Sequence, residues 1–205
     1  MSDYIFVRPA EDSAGVQVAA WGQALLQKIV GCTPIDLAGT QATRANIEGQ
    51  LAGAPHHLFW FGHGRADALI SEEEPLVDLA NVGLLAGAVI VAIACDAAIS
   101  LGPESVDGAG IAAFLGFDDR FGFPALAPLP MAQAIIEGLA CMLTMGHEIG
   151  CAHRQVHERL NHALTTYRTE GAAWGLAESD AETAWLWAKS NRDSLRLYGD
   201  PTATL

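Results

Sequence analysis

Two side chains in this sequence stand where covalent chemistry is readily done. His63 lies between Gly62 and Gly64 at the end of the apolar run Leu58-Phe59-Trp60-Phe61, and Cys95 ends a second apolar run, Ala88 to Ala94. A thiol beside an imidazole can be deprotonated, and the thiolate attacks carbonyl carbon. The flanking glycines are expected to let the backbone turn sharply and approach a ligand closely. An N–H from Gly64, together with that of Cys95, could receive a developing oxyanion.

For the two groups to meet, the two runs must be neighbouring strands, and the rest of the chain is patterned to make them so. Tyr4 to Val7 reads as a first strand. Gly15 to Val30 carries Val18, Trp21, Leu25 and Ile29 at helical spacing. Residues 34–37 suggest a second short strand. Thr43 can cap a helix running through Leu51 and ended by Gly53. The His63 run is the third strand, and residues 64–82, with the acidic run Glu72-Glu73-Glu74, read as polar and irregular. Val89 to Ala94 is the fourth strand and Ile111 to Phe117 the fifth, followed by a loop rich in proline and glycine. Met131 to Thr169 is helical, with interruptions near Gly146 and Gly150. Ala181 to Lys189 is a further helix and Leu195 to Tyr198 a last strand. Strands that alternate with helices and are apolar on both faces predict an α/β protein with a mostly parallel central sheet covered on both sides. No repeat or linker divides the chain, so a single domain over residues 1–205 is expected. In such a sheet functional residues gather beyond the carboxyl ends of the strands. His63 and Cys95 both stand there, on strands spaced about 4.8 Å apart if they are neighbours.

The bulk composition narrows the function classes. The 205 residues are 51% hydrophobic and carry a net charge of −13, which suits a compact globular protein. An acidic chain of this kind is a poor general binder of nucleic acid. It suits a cationic partner, or the charge simply serves solubility. Cys32, Cys95, Cys141 and Cys151 show no regular spacing. The start Met1-Ser2-Asp3 lacks a basic segment followed by an apolar one, and no apolar run approaches a membrane span. A cytoplasmic protein with free thiols and no membrane association is the expectation.

The motifs "FWFGHG" and "VIVAIAC" resemble the His and Cys motifs of the caspase-like (clan CD) cysteine peptidases, the group of caspases, metacaspases, gingipains, separase and bacterial CHAT domains. Two further stretches extend the likeness to about residues 4–201. "NRDSLRLYGDPTATL" resembles the closing strand and Gly-Asp-Pro of CHAT domains and gingipain-like peptidases, and "MGHEIGCAHRQVHERL" resembles a late CHAT helix. The resemblance is nearest to the CHAT and gingipain-like group. It implies a three-layer sandwich with a flavodoxin-like strand order at its start, a peptide or protein substrate, and no cofactor. It makes Cys95 the nucleophile, His63 the general acid and base, and Gly64 with Cys95 the oxyanion donors. The sequence also departs from the group. Cys95 follows His63 by only 32 positions, and Ile93 stands where metacaspases and paracaspases carry an Asp. A basic S1 pocket therefore needs another carboxylate, for which Asp67, Asp96, Asp118 and Asp119 are candidates. Asp118 and Asp119 follow the fifth strand, where this group often builds the S1 wall, although such a pair also reads as a solvated turn.

Other constellations carry less. His147 and Cys151, and His153 and His157, are each four residues apart and could share a helix face. The set resembles an HExxH zinc signature, but Cys151 replaces the second histidine, and no metal is assigned. Trp185 and Trp187, two apart on one helix, point to different faces and suit packing better than a binding platform. No glycine-rich phosphate loop and no GxSxG serine motif is present. Two alternatives to a peptidase stay open: a caspase-fold interaction protein with an idle dyad, and a zinc-dependent hydrolase built on residues 147–157.

Overall fold

The computed structural model of the chain describes residues 4–29, 31, 33–52 and 56–205. The strands are β1 (Tyr4–Arg8), β2 (Ile35–Ala38), β3 (His57–Phe61), β4 (His63–Arg65), β5 (Ala68–Ser71), β6 (Glu74–Asp78), β7 (Val89–Ile93), β8 (Ala113–Phe117) and β9 (Leu195–Gly199). The helices are α1 (Ser13–Leu26), α2 (Arg44–Leu51), α3 (Leu101–Ala109), α4 (Leu129–Met145), α5 (Ile149–Glu170) and α6 (Glu178–Ser194). Six strands form the central sheet in the order β2-β1-β3-β7-β8-β9. All pairings are parallel except that of β8 with β9. The flavodoxin-like order at the start of the sheet and the layered α/β architecture are thus both present.

The period-2 alternation of each strand divides the core between the two faces. Phe59, Phe61, Val91, Ile93, Leu115 and Phe117 face the layer of α1, α4, α5 and α6. Leu58, Trp60, Ile90, Ala92 and Phe114 face the layer of α2, α3 and a small second sheet. Because both faces are covered, β3 and β7 are buried along their length apart from His57. No helix among the described residues is long and apolar enough to cross a membrane.

Residues 64–82, expected to be irregular, instead contain the second sheet, β4-β5-β6, which is antiparallel. Its apolar residues Ala68, Leu69, Ile70, Leu76 and Val77 are all buried. The hairpin between β5 and β6 turns on Glu72 and Glu73, at φ 47° and 68°. Left-handed turns of this kind are normally announced by Asn-Gly or Asp-Gly, so an acidic pair concealed the hairpin. Helix α3 was not anticipated either, since Gly102, Pro103 and Gly108 all argue against helix. Packing overrides that preference: a side chain at Gly102 would meet Phe114 at 3.0 Å and Tyr198 at 3.1 Å.

The long helical stretch breaks once, between α4 and α5, where Gly146 takes a left-handed conformation (φ 63°) and its N–H bonds the Met142 carbonyl. Gly150 does not break the helix; it lies in the first turn of α5. The N–H groups of Ile149 and Gly150 donate to the carbonyls of Ala203 and Pro201 at 2.9 Å each. A Cβ at Gly150 would lie 2.8 Å from the Pro201 oxygen. The Gly-Asp-Pro tail is therefore a strap across the beginning of α5.

Candidate active site

The positions of His63 and Cys95 follow from one strand pairing. Strands β3 and β7 are neighbours, with Phe61 opposite Ile93, and the Gly62 N–H extends the pairing by donating to the Ile93 carbonyl at 3.3 Å. His63 and Cys95 each lie two residues beyond that last matched pair. Both therefore emerge at the carboxyl edge of the sheet, from adjacent strands.

Gly62 and Gly64 allow the protein to pack closely on itself. Neither has a positive φ, and what approaches them is protein. A Cβ at Gly62 would meet Pro9 at 2.6 Å, and one at Gly64 would meet the Cys95 carbonyl at 2.7 Å and the Ala94 Cβ at 2.8 Å. The missing side chain at Gly64 thus lets the His63 segment lie directly against the backbone of Cys95. Gly64 also belongs to β4, opposite Leu69.

Two neighbours fix His63. The indole Nε1 of the fully buried Trp60 donates to the His63 carbonyl at 3.0 Å. On the ring itself, Nε2 lies 3.2 Å from Asp12 Oδ1. The same Asp12 oxygen accepts the Gly15 N–H at 2.7 Å and caps α1. That backbone hydrogen bond, seconded by His63, holds the Asp12 carboxyl below its usual range. Both side chains are well exposed, 34% for His63 and 58% for Asp12. The pair contributes little stability, and its effect is on the orientation of the ring. Sequence reasoning missed Asp12; its one signal was its place ahead of a helix as an N-cap.

Cys95 is half-buried, and its Sγ lies 3.6 Å from the Phe121 carbonyl oxygen. Burial pushes the thiol above its ordinary range, with Asp96 and Asp119 adding to the effect and a Phe121 backbone contact and Arg120 opposing it. The group therefore rests as a protonated thiol and needs a base to become a nucleophile. Immediately after it, Asp96 adopts φ 59° and turns the chain out of the sheet, its N–H bonding the Asp119 carbonyl at 3.2 Å.

Residues 119–123 form the wall beside Cys95, and α6 holds that wall in place. Asn191, fully buried, accepts the Gly122 N–H at 3.1 Å and donates to the Gly122 carbonyl at 2.7 Å. The Trp187 ring lies against Gly122 with no room for a side chain. Replacing Asn191 with alanine leaves both Gly122 groups without this partner. A loss of about 2 kcal/mol or more is expected in chemical denaturation. A change below about 0.5 kcal/mol would mean that Asn191 does not anchor the wall.

The remaining candidates are placed as follows. Asp118 pairs with Arg196 at 2.6 Å, across the β8–β9 edge. The Asp119 side chain accepts the Arg120 N–H at 2.7 Å and lies 3.4 Å from the Ser190 hydroxyl. Asp67 pairs with Arg65 in the β4–β5 turn. His147 precedes α5, so it does not share a helix face with Cys151, while His153 and His157 both lie on α5. Cys32 falls outside the described residues.

A six-stranded, mostly parallel sheet between two covering layers, in this strand order, is the caspase-like fold of the clan CD cysteine peptidases. Among solved structures the chain is similar to the arginine-specific cysteine proteinase gingipain R, with a TM-score of 0.60 and 15% identity over 98% of this chain and 47% of that one. It is equally similar to the complex of the RgpB pro- and mature domains of Porphyromonas gingivalis, with a TM-score of 0.61 and 14% identity over 99% and 48% of the two chains. The chain spans about half the length of these neighbours, and at such identities the likeness is one of fold. It does not single out the CHAT subgroup. No family model and no curated protein matches the sequence.

Proposed function

We propose that the chain is a cysteine endopeptidase of the caspase-like type, acting through His63 and Cys95. The observation that carries this reading is the emergence of an imidazole and a half-buried thiol at matched positions on two adjacent parallel strands. With Nε2 engaged by Asp12, His63 would use its other ring nitrogen, Nδ1, for proton transfer. In the proposed reaction His63 takes the Cys95 thiol proton, and sulfur bonds to the peptide carbonyl carbon. The oxyanion rests on the N–H groups of Gly64 and Cys95. His63 then returns the proton to the leaving amine as the C–N bond breaks, giving a thioester. Water, deprotonated by His63, attacks that thioester and releases the carboxylic acid, and the proton restores the thiol. A reducing compartment such as the cytoplasm suits a catalytic thiol.

The proposed substrate preference is for arginine or lysine at P1. The acidic chain, the nearness of Asp96 and Asp119 to Cys95, and the arginine specificity named for the gingipain neighbour support it. Asp118 is already committed to Arg196 and would bind a substrate cation only by exchanging that partner. Peptidyl electrophiles bearing Arg, Lys, Asp or Ala at P1 test both statements. Labelling of Cys95, fastest with Arg or Lys, is expected. Asp119→Asn is expected to lower arginine-substrate turnover by roughly a hundredfold. A preference for acidic or small apolar P1 residues overturns the specificity. Failure of every probe to label Cys95 favours the interaction-protein alternative, to which the raised thiol is the observation that lends weight.

A further inference from the structure

The break between α4 and α5 gathers side chains that the peptidase reading does not use. Cys141 lies one turn before the end of α4 and is buried. His147 follows the left-handed Gly146 and is exposed, and Cys151 lies in the first turn of α5. Their donor atoms all lie within 4.8 Å of one another, and His147 Nδ1 is 3.4 Å from Cys151 Sγ. We propose that Cys141, His147 and Cys151 form a zinc site that fastens the end of α4 to the start of α5, separate from His63 and Cys95.

Zinc binds thiolate at about 2.3 Å and imidazole nitrogen at about 2.0–2.1 Å in a tetrahedron, which places neighbouring donors roughly 3.5–3.8 Å apart. The His147–Cys151 distance of 3.4 Å is close to that span, and Cys141, whose sulfur lies within 4.8 Å of both, would move closer on binding. Spacing in the sequence pointed to His147 with Cys151 on one helix face. The structure joins them instead through the reversal at Gly146, and adds Cys141, which no spacing rule had flagged. His153 and His157 do not belong to the cluster.

The donor set also selects the metal. Two sulfurs and one imidazole suit zinc and other borderline or soft ions, and exclude magnesium and calcium, which need oxygen. Two thiolates neutralise a divalent cation, as a half-buried site requires. Binding proceeds by loss of one proton from each thiol, with His147 neutral, so two protons are released per zinc. Three protein donors would leave a fourth position for water or another ligand.

The place of the site in the fold sets it apart from the dyad. The start of α5 is strapped by Pro201 and Ala203, and the Asp200 N–H bonds the Ala112 carbonyl just before β8 begins. The cluster therefore lies at the amino edge of the sheet, across from the edge that carries His63 and Cys95.

The test uses the full chain carrying Cys95→Ala, so that the reactive thiol contributes nothing, purified under reducing conditions and titrated with zinc or cobalt(II). One tightly bound metal per chain is expected, with a thiolate-to-cobalt charge-transfer band in the near ultraviolet and a rise in melting temperature. Cys141→Ser, His147→Ala and Cys151→Ser are each expected to weaken zinc binding by at least about a hundredfold, since loss of mere outer-shell partners costs about 10–100-fold. His147 is exposed, so His147→Ala reports on binding without threatening the fold. Reduced protein that takes up neither metal overturns the proposal, as does undiminished binding in the three variants. A chain lighter by two hydrogens whose peptide map links Cys141 to Cys151, and which binds metal neither before nor after reduction, overturns the proposal in favour of a redox bridge.

Discussion

Replacing Cys95 with alanine is expected to lower peptide hydrolysis by at least about 10⁴-fold, to the level left by binding and oxyanion stabilisation alone. The variant removes the sulfur proposed to form the thioester, and it is expected to leave the fold intact because the side chain is half-buried and small. Cys32→Ala, Cys141→Ala and Cys151→Ala should retain cleavage, because none of these residues belongs to the proposed dyad. The measurement is turnover of a fluorogenic peptide by each purified variant, with melting temperature as the check on folding. Cleavage retained in Cys95→Ala would refute Cys95 as the nucleophile. If that cleavage were also sensitive to EDTA, a metal-dependent activity built on residues 147–157 would take its place.

The second large effect is expected at His63. Because burial raises the Cys95 thiol, little thiolate forms unaided near neutral pH, and the base carries more of the burden than it would beside an acidic thiol. His63→Ala should therefore cost about 10²–10⁴-fold in hydrolysis. The sign of the pH dependence follows from the same shift. A raised thiol is protonated below its own titration, so alkylation of Cys95 by a small neutral reagent in His63→Ala should be slow at neutral pH. It should keep rising as the pH passes the range where an ordinary cysteine has levelled off. Fast, pH-independent alkylation of that variant near neutrality would show that Cys95 is ionised without His63 and would remove the need for a base. Asp12→Asn keeps an N-cap for α1 but removes the charge beside the ring, and a smaller loss of about tenfold is expected there.

The parts legible in the sequence were those written in local pattern. The apolar runs ending at His63 and Cys95 could hardly be anything but buried strands, and their residue types announced the edge where they end. The strand-helix alternation led to the parallel sheet for the same reason. What escaped was decided at a distance. Strand β5 turns into β6 on Glu72 and Glu73, which carry no hairpin signature. Helix α3 forms because Phe114 and Tyr198 fill the space beside Gly102. Asp12 meets His63 across 51 positions and Asn191 meets Gly122 across 69, and no window of neighbouring residues records either meeting. Asp118 was read as either a pocket carboxylate or a solvated turn, and its ion pair with Arg196, 78 positions later, was out of view.

The anchoring of Gly122 by Asn191 also bears on timing. Residues 4–117 contain the five parallel strands and both members of the proposed dyad, and they leave the ribosome first. The wall beside Cys95 is held by α6, and β9 pairs with β8 next to it, yet both come from residues 178–199, well after the five parallel strands. Domains begin to fold during synthesis from the amino end. A nascent chain can therefore bring His63 and Cys95 together while the cleft still lacks its far side. The cleft proposed here would be complete only once residues 178–199 have been made and have docked.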